Sequence, residues 1–147
     1  MNTIDASISV KWFKKNEAYE KEALYLLERI KSFDIMCNAN EWIILETVRG
    51  LVKAKYPEEE IDKAYDSLME LMNTRAIRRI RVSEILPLAK SIEKDLKLYA
   101  ADAVHLATAI GTGSRVLWTE DKHLHKKKVK EFTRNRGLEI LRLEKVE

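Results

Sequence analysis

Residues 100–121, AADAVHLATAIGTGSRVLWTED, run from an apolar segment through a glycine-containing turn into a short segment of β-forming residues. Residues 100–110 are mostly Ala, Leu and Ile, which predicts a helix, and Gly111-Thr112-Gly113 marks its end. Residues 115–119, Arg-Val-Leu-Trp-Thr, then predict a strand. One acid lies near the start of this helix, Asp102, and another directly follows the strand, Asp121.

The same alternation of strands and helices extends along the rest of the chain. Predicted strands include Thr3-Ile4-Asp5, Phe33 to Cys37, Ile77 to Val82 and Leu138 to Leu143. Predicted helices cover Glu17 to Lys31, Asn40 to about Lys55, Ile61 to Met72, Glu84 to Leu98 and Lys122 to Phe132, with Asn40 and Ser83 as N-caps and Pro87 in a first turn. This order predicts an α/β three-layer domain with a mainly parallel sheet. No repeat or linker divides residues 1–147, so we expect one domain.

The composition excludes several classes of protein. Of 147 residues, 35% are charged and 46% hydrophobic, so the chain is not disordered, and only 4 Gly and 2 Pro argue against a turn-rich β-sandwich. A single cysteine, Cys37, excludes an intramolecular disulfide and a cysteine-based zinc site. Neither a signal peptide nor a membrane-spanning apolar run is present, so we expect a cytoplasmic protein.

Basic residues are concentrated in two segments, although the net charge is only +3. The first contains Arg75, Arg78, Arg79 and Arg81, and the second contains Lys122, Lys126, Lys127, Lys128, Lys130, Arg134 and Arg136. Such segments suit a polyanion, or they form solvated faces.

Four carboxylates stand in positions that suit chemistry. Asp5 and Asp121 follow strands, where ligands bind in open α/β sheets, and both positions also suit a helix N-cap. Asp102 and Glu46 lie in apolar helices; a favourable contact with the helix dipole and a salt bridge with Arg49 are the structural alternatives. Because burying unpaired carboxylates is costly, this set favours a hard divalent cation such as Mg²⁺.

The histidines and hydroxyls do not indicate another kind of site. His123 and His125 are two residues apart and do not share a helix face, so zinc is disfavoured, and we interpret His105 as a core or cap histidine. Ser7, Ser9 and Cys37 have no histidine beside them in the sequence to activate a nucleophile.

The chain resembles the PIN domain family, in particular the VapC-like toxin ribonucleases of toxin–antitoxin systems. Residues 4–13, IDASISVKWF, are similar to the family's opening strand, and residues 46–51, ETVRGL, to its glutamate-containing helix. Residues 100–109, AADAVHLATA, are similar to the third and most specific motif, and residues 117–121, LWTED, to the last.

This resemblance implies a function and a set of site residues. It implies a metal-binding quartet of Asp5, Glu46, Asp102 and Asp121, with Thr119 as a supporting or phosphate-facing hydroxyl. It further implies cleavage of single-stranded RNA with Mg²⁺ or Mn²⁺, a homodimer, and a small antitoxin partner. We expect a phosphodiester hydrolase in which the metal activates water and the basic segments contact RNA phosphates.

Two other classes of function stay open at this point. One is a catalytically inactive PIN-like module that binds RNA or protein. The other is a phospho-acceptor signalling domain, which needs paired acids after its first strand, where this chain offers only Asp5. Trp12, Phe13 and Trp42 lie close in sequence to Asp5 and Glu46, and they either contact the small partner or pack in the core.

Overall fold

The computed structural model describes all residues from 1 to 147, with strands and helices in alternation. The strands are β1 (Asn2–Ile4), β2 (Cys37–Asn40), β3 (Ile77–Ile80), β4 (Val116–Trp118) and β5 (Glu139–Leu141). The helices are α1 (Ala6–Ser9), α2 (Glu20–Lys31), α3 (Trp42–Lys53), α4 (Glu58–Asn73), α5 (Val82–Leu96), α6 (Ala100–Gly111) and α7 (Lys127–Arg134). Three short 3₁₀ turns cover Val10–Trp12, Lys122–His125 and Leu143–Lys145.

All five strands form one parallel sheet in the order β3-β2-β1-β4-β5. The chain therefore moves from β1 toward one edge of the sheet and then crosses back to place β4 on the other side of β1. The carboxyl ends of β1 and β4 meet at this change of direction, which is where open α/β sheets bind their ligands.

Helices cover both faces of the sheet and bury two separate cores. One core contains apolar residues from α1 to α4, such as Ile8, Leu26 and Leu68. The other contains residues from α5 to α7, such as Ile92, Leu106 and Val129. The predicted three-layer α/β/α architecture with a parallel sheet is thus confirmed.

The second strand lies later in the chain than the sequence indicated. Residues 33–37 were predicted as the strand because they are mostly apolar, but Phe33 adopts a left-handed conformation (φ 61°) and residues 33–35 donate backbone hydrogen bonds to the last turn of α2. The strand is instead Cys-Asn-Ala-Asn, and all four residues are buried. Asn40 finds polar partners on α6 and Asn38 finds one in the turn that follows α6, which apolar patterning alone does not reveal.

A buried polar seam joins the sheet to the helix α6 and the turn that follows it. Thr3 on β1 pairs with Ser114 (Oγ1 to Oγ, 2.7 Å), and Asn38 Nδ2 donates to Ser114 Oγ at 3.4 Å. Asn40 Nδ2 donates to Thr108 Oγ1 at 3.2 Å. We call these residues, together with His105, the polar seam; it fixes how far α6 is shifted along the sheet.

Two predicted helix starts also differ. The last helix, α7, begins at Lys127 rather than Lys122, because residues 122–125 form a separate 3₁₀ turn capped by Asp121. The N-terminus of α5 is Val82 rather than the residue after Ser83, because the carboxylate of Glu41 accepts the Val82 N–H (3.3 Å) while also binding Arg79. Pro87 consequently lies in the second turn of α5. None of the helices combines the length and the apolar composition needed to cross a bilayer.

Candidate active site

Asp5 follows β1 directly and is buried at the centre of the candidate site. Its Oδ1 accepts the N–H of Ser7 at 3.0 Å, so it caps α1, as the capping interpretation expects. The Ser7 hydroxyl donates to the same oxygen, and the Thr119 hydroxyl donates to Oδ2. Both carboxylate oxygens are therefore held in a fixed orientation.

Each of the two hydroxyls is itself oriented by the backbone after β4. The Glu120 N–H donates to Ser7 Oγ (2.8 Å), and the Asp121 N–H donates to Thr119 Oγ1 (3.0 Å). Ser7 and Thr119 thus connect Asp5 to the loop that carries Asp121. This connection rigidly joins the ends of β1 and β4.

Asp102 and Asp121 meet beside Asp5. Asp102 lies in the first turn of α6, 7% exposed, close enough to Asp121 and Asp5 for their charges to act on its carboxyl group. Asp121 also accepts the His123 N–H (2.8 Å), so it caps the following 3₁₀ turn. Both aspartates that follow strands therefore act as caps and also belong to one acidic cluster.

Without a cation, burial and mutual repulsion favour the protonated, neutral forms of Asp5 and Asp102. Burial raises the pKa of Asp102 to about 7, and the neighbouring charges of Asp121 and Asp5 add to the shift. Burial also raises the pKa of Asp5, despite the opposing effects of His105, Ser7 and Thr119. Ionising these carboxyl groups is thus unfavourable unless a positive charge lies beside them.

Glu46 is held beside the site by a hydrogen bond with His105. Its Oε1 lies 2.6 Å from Nε2 of His105, which is 2% exposed in the middle of α6. Glu46 forms no salt bridge with Arg49, contrary to the structural alternative. His105 is buried, as predicted, but it also orients an acid of the site.

The contact made by Nδ1 of His105 shows which of the two ring nitrogens carries the proton. Asn40 uses its Oδ1 to accept the Trp42 N–H (2.9 Å), so its Nδ2 faces His105 Nδ1 at 3.0 Å. Nδ1 is then an acceptor, and Nε2 carries the proton that is donated to Glu46. Burial alone would lower the pKa of His105, but the bond to Glu46 and the charges of Asp5, Glu46 and Asp102 raise it overall.

Sequence reasoning missed the site roles of Ser7 and His105. The signals existed, because Ser7 stands two residues after an acid that caps a helix, and His105 stands one helical turn after Asp102. Neither spacing distinguishes a site residue from an ordinary cap or core residue. The partners that give them a role lie more than fifty residues away in the chain.

The donor set fits a divalent cation by its chemistry. No group of three or more histidine, cysteine, aspartate or glutamate side chains is arranged around one point as metal ligands are. However, Asp5, Asp102 and Asp121 are clustered, and none of them forms a salt bridge with a lysine or arginine. Oxygen ligands with uncompensated negative charge are what Mg²⁺ and Mn²⁺ prefer.

The architecture places this chain among three-layer α/β/α proteins that have a parallel sheet and acidic residues where the sheet order changes direction. The model of one such family, described as "PIN domain", matches residues 3–130. The chain belongs to the PIN domain family.

Comparison with solved structures agrees with this assignment of the fold. A toxin–antitoxin complex from Klebsiella pneumoniae gives a TM-score of 0.60 at 20% identity, covering 83% of this chain and 88% of the other. FitAB bound to an IR36 DNA fragment gives 0.69 at 12% identity, covering 100% and 98%. VapBC2 from Rickettsia felis, bound to a DNA fragment from its promoter, gives 0.60 at 15%, covering 96% and 97%. No curated protein sequence matches the chain.

The strand order removes the phospho-acceptor alternative. Signalling domains of that class have the order 2-1-3-4-5, whereas this sheet has the order 3-2-1-4-5. Asp5 is also the only acid directly after β1.

Proposed function

We propose that this protein is a metal-dependent endoribonuclease that cleaves single-stranded RNA and acts as the toxin of a toxin–antitoxin pair. The observation that carries the proposal is the cluster of Asp5, Asp102 and Asp121 at the carboxyl edge of the sheet, without a basic partner. Membership of the PIN domain family supports it.

Four carboxylates would hold the ion in this proposal: Asp5, Glu46, Asp102 and Asp121. Bound Mg²⁺ or Mn²⁺ supplies Lewis acidity toward the phosphodiester and makes water a better nucleophile at neutral pH. Thr119 positions Asp5 through its hydroxyl, and His105 positions Glu46 through Nε2–H.

The residues of the cluster also bind and release a proton. Because burial raises its pKa to about 7, the Asp102 carboxyl carries a proton in a substantial fraction of molecules at neutral pH. That proton relieves repulsion between Asp102 and Asp121. A cation would replace it, so we expect metal binding to release protons and to tighten as the pH rises.

The basic segments support an RNA substrate. Lys126, Lys127 and Lys128 are exposed at the start of α7, which follows β4 and its acid. Arg81 follows the carboxyl end of β3, so it lies at the same end of the sheet. Contacts of this kind bind phosphates and contribute affinity with little base specificity.

The partner proposal depends on exposed apolar residues of α3. Trp12 is buried and its indole N–H bonds Ala23 O, so it belongs to the core, and Phe13 packs against that core. Trp42 and Leu45, by contrast, are exposed beside Glu46. The solved toxin–antitoxin complexes of the same fold support a small antitoxin as the partner at this surface.

Cleavage assays test the enzymatic part. Purified protein should cut a pool of single-stranded RNAs with Mn²⁺ or Mg²⁺, EDTA should abolish cleavage, and Asp5→Ala should be inactive with either ion. RNA binding without cleavage under every metal condition would instead identify the inactive binding module. Cleavage that persists in EDTA and in Asp5→Ala would contradict the metal mechanism.

Growth experiments test the toxin assignment, and mass measurements test the homodimer. Expression alone should slow growth, and co-expression of a small open reading frame encoded beside the gene should relieve it. A harmless wild type in its native host without that partner would contradict the assignment. Sedimentation of the purified protein should give twice the chain mass.

A further inference from the structure

Tyr99 is an exposed aromatic residue directly before α6, the helix that carries Asp102. It occupies the N-cap position of α6, where Ser, Thr, Asp or Asn would accept a backbone N–H, and its side chain makes no such bond. It is also the most exposed of the large apolar side chains, at 72%. Its ring is therefore neither buried in the core nor used to cap the helix.

A second aromatic ring holds Tyr99 in place. The rings of Tyr99 and His123 meet edge to face, with centroids 5.5 Å apart and an interplanar angle of 79°. His123 belongs to the 3₁₀ turn after β4, and its N–H donates to Asp121 Oδ1. Tyr99 thus directly precedes the helix that carries Asp102, and His123 belongs to the turn that Asp121 caps.

This arrangement leaves most of the Tyr99 side chain exposed, three residues before Asp102. Tyr99 has His123 as its one aromatic neighbour, while most of its side chain faces solvent. A planar ligand is the chemical complement of an exposed aromatic ring. Exposed lysines on both sides of His123, Lys122 and Lys126, add positive charge for a phosphate backbone.

We propose that Tyr99, braced by His123, stacks on the nucleobase next to the phosphodiester that binds at the acidic cluster. This proposal rests on the proposed ribonuclease function and adds a base-binding subsite to it. Single-stranded RNA exposes unstacked bases, and aromatic side chains bind them with little dependence on sequence. Tyr99 therefore contributes substrate affinity and the placement of the phosphate, not a base code.

Fluorescence measures the stacking without any cleavage. A set of short single-stranded RNAs, each with 2-aminopurine at one position, is titrated with the protein in EDTA. We expect quenching at one position or a few adjacent positions. Tyr99→Leu should lose this quenching and weaken binding about tenfold, Tyr99→Phe should retain both, and His123→Ala should have a smaller effect. Tyr25→Leu, an exposed tyrosine of α2 on the other face of the sheet, should change nothing.

Kinetics with Mn²⁺ then place the stacked base in the reaction. Tyr99→Leu should raise KM about tenfold, and RNA lacking the base at the quenched position should impose the same loss on the wild type. The two losses should not add, because both remove one contact. Equal RNA affinity and KM in Tyr99→Leu and wild type, or fully additive losses, would overturn the stacking proposal.

The two levels of the proposal fail separately. A wild type that cleaves no RNA with either ion contradicts the ribonuclease function, and the 2-aminopurine titration still decides whether Tyr99 stacks on a base. Unchanged RNA binding by Tyr99→Leu in that titration would assign the exposed ring to a protein contact instead, and the stacking proposal would be wrong.

Discussion

Asp102 is a residue at which stability and site chemistry oppose each other. Its position in the first turn of α6 favours a negative charge, yet burial and two neighbouring aspartates raise its pKa to about 7, so the unfavourable effects are larger. We predict that Asp102→Asn raises the melting temperature in EDTA by at least about 3 °C. The shift that excess Mn²⁺ produces in the wild type should shrink or vanish in the variant, because a ligand is lost.

Melting curves of both proteins, each with EDTA and with Mn²⁺, check this prediction. A helix-capping role would give a different result, since Asn caps about as well as Asp. If the variant melts no higher than the wild type and keeps the full Mn²⁺ shift, Asp102 is not a ligand.

The same pKa gives a pH dependence of definite sign. Between the ordinary carboxyl pKa of 3.8 and about 7, folded Asp102 binds more protons than the unfolded chain does. The free energy of unfolding therefore falls as the pH rises through this window. We predict that urea unfolding in EDTA at several pH values across it shows this decline, and that Asp102→Asn makes it shallower. An identical slope in both proteins would exclude the shift.

Replacing Glu46 by Gln separates the effect of its negative charge on cleavage from the effect of its hydrogen bond on stability. In Glu46→Gln the amide oxygen still accepts the hydrogen bond from His105 Nε2, so we predict a change in unfolding free energy within about 1 kcal/mol. Cleavage should fall by about 100-fold or more because the negative charge is lost. RNA cleavage and urea unfolding measured on one preparation check both parts.

His105→Ala is the matched comparison for Glu46→Gln. It leaves a cavity and removes the partner of Glu46 and one of the two partners of Asn40 Nδ2, so it should cost about 2 to 4 kcal/mol of stability as well as activity. Full activity in Glu46→Gln would remove Glu46 from the site.

The acids of the site were accessible from sequence because strand-to-helix junctions are marked locally. Asp5 and Asp121 directly follow short β-forming segments, and the apolar surroundings of Asp102 indicated burial. The pairing of Glu46 with His105 was not accessible, because it joins α3 to α6 across 59 positions of sequence. The sequence around a histidine on an apolar helix does not indicate which groups its ring nitrogens contact.

At the scale of elements, the site depends on how closely α1 and α3 approach each other. A Cβ added at Gly50 of α3 would lie 2.8 Å from Cγ2 of Val10, just after α1. Val10 is β-branched and its side chain rotates little, so the helices would have to separate. Asp5 is the N-cap of α1, and any such movement displaces it from the acids on α6 and after β4.

We therefore predict that Gly50→Ala destabilises the fold, because overpacking costs about 1 to 3 kcal/mol while the gain in helix propensity is about 1 kcal/mol. Val10→Ala in the same chain should restore about 1 kcal/mol and part of the cleavage activity. Gly111→Ala is the control, since its Cβ would meet Ile85 and Leu88 at ordinary distances of 3.6 and 3.7 Å. Equal effects of the two glycine substitutions in urea unfolding would contradict the close approach.

Elements were predictable where apolar spacing or β-branched residues mark them, as in α4, α6 and β3. The strand β2 was misplaced because two of its four residues, Asn38 and Asn40, are polar and yet buried. Such a strand is stable only next to a helix that supplies hydrogen-bond partners. Patterns within a segment do not contain that information.

At the scale of the whole molecule, positively charged side chains are concentrated in the segment that follows β4 and Asp121. Lys126, Lys127 and Lys128 are exposed, and the one ion pair among them, Lys127 with Glu131 at 3.9 Å, is weak because both groups face solvent. We predict that changing all three to Ala weakens binding to every single-stranded RNA alike and flattens its salt dependence by about 0.7 per lost contact.

Three lysines on the opposite face provide a control with the same change in charge. Lys21 and Lys31 of α2 and Lys63 of α4 are exposed, and Lys63 has an ion pair with Glu60 similar to that of Lys127. Their replacement should leave the salt slope unchanged. Equal slopes for the two triple variants and the wild type would make the α7 lysines a solvated face only.

The polar seam beneath α6 limits which parts of this protein can be exchanged with those of its relatives. Asn40 hydrogen-bonds the ring of His105 and the hydroxyl of Thr108, and Thr3 hydrogen-bonds Ser114. The polar side chains of the strands therefore match those of α6 and of the turn that follows it. A chimera that takes β2 alone or α6 alone from a relative with an apolar seam would bury unpaired amides. Inheritance of the two segments as a unit would preserve the seam, so substitutions at positions 40, 105 and 108 should be coupled during divergence.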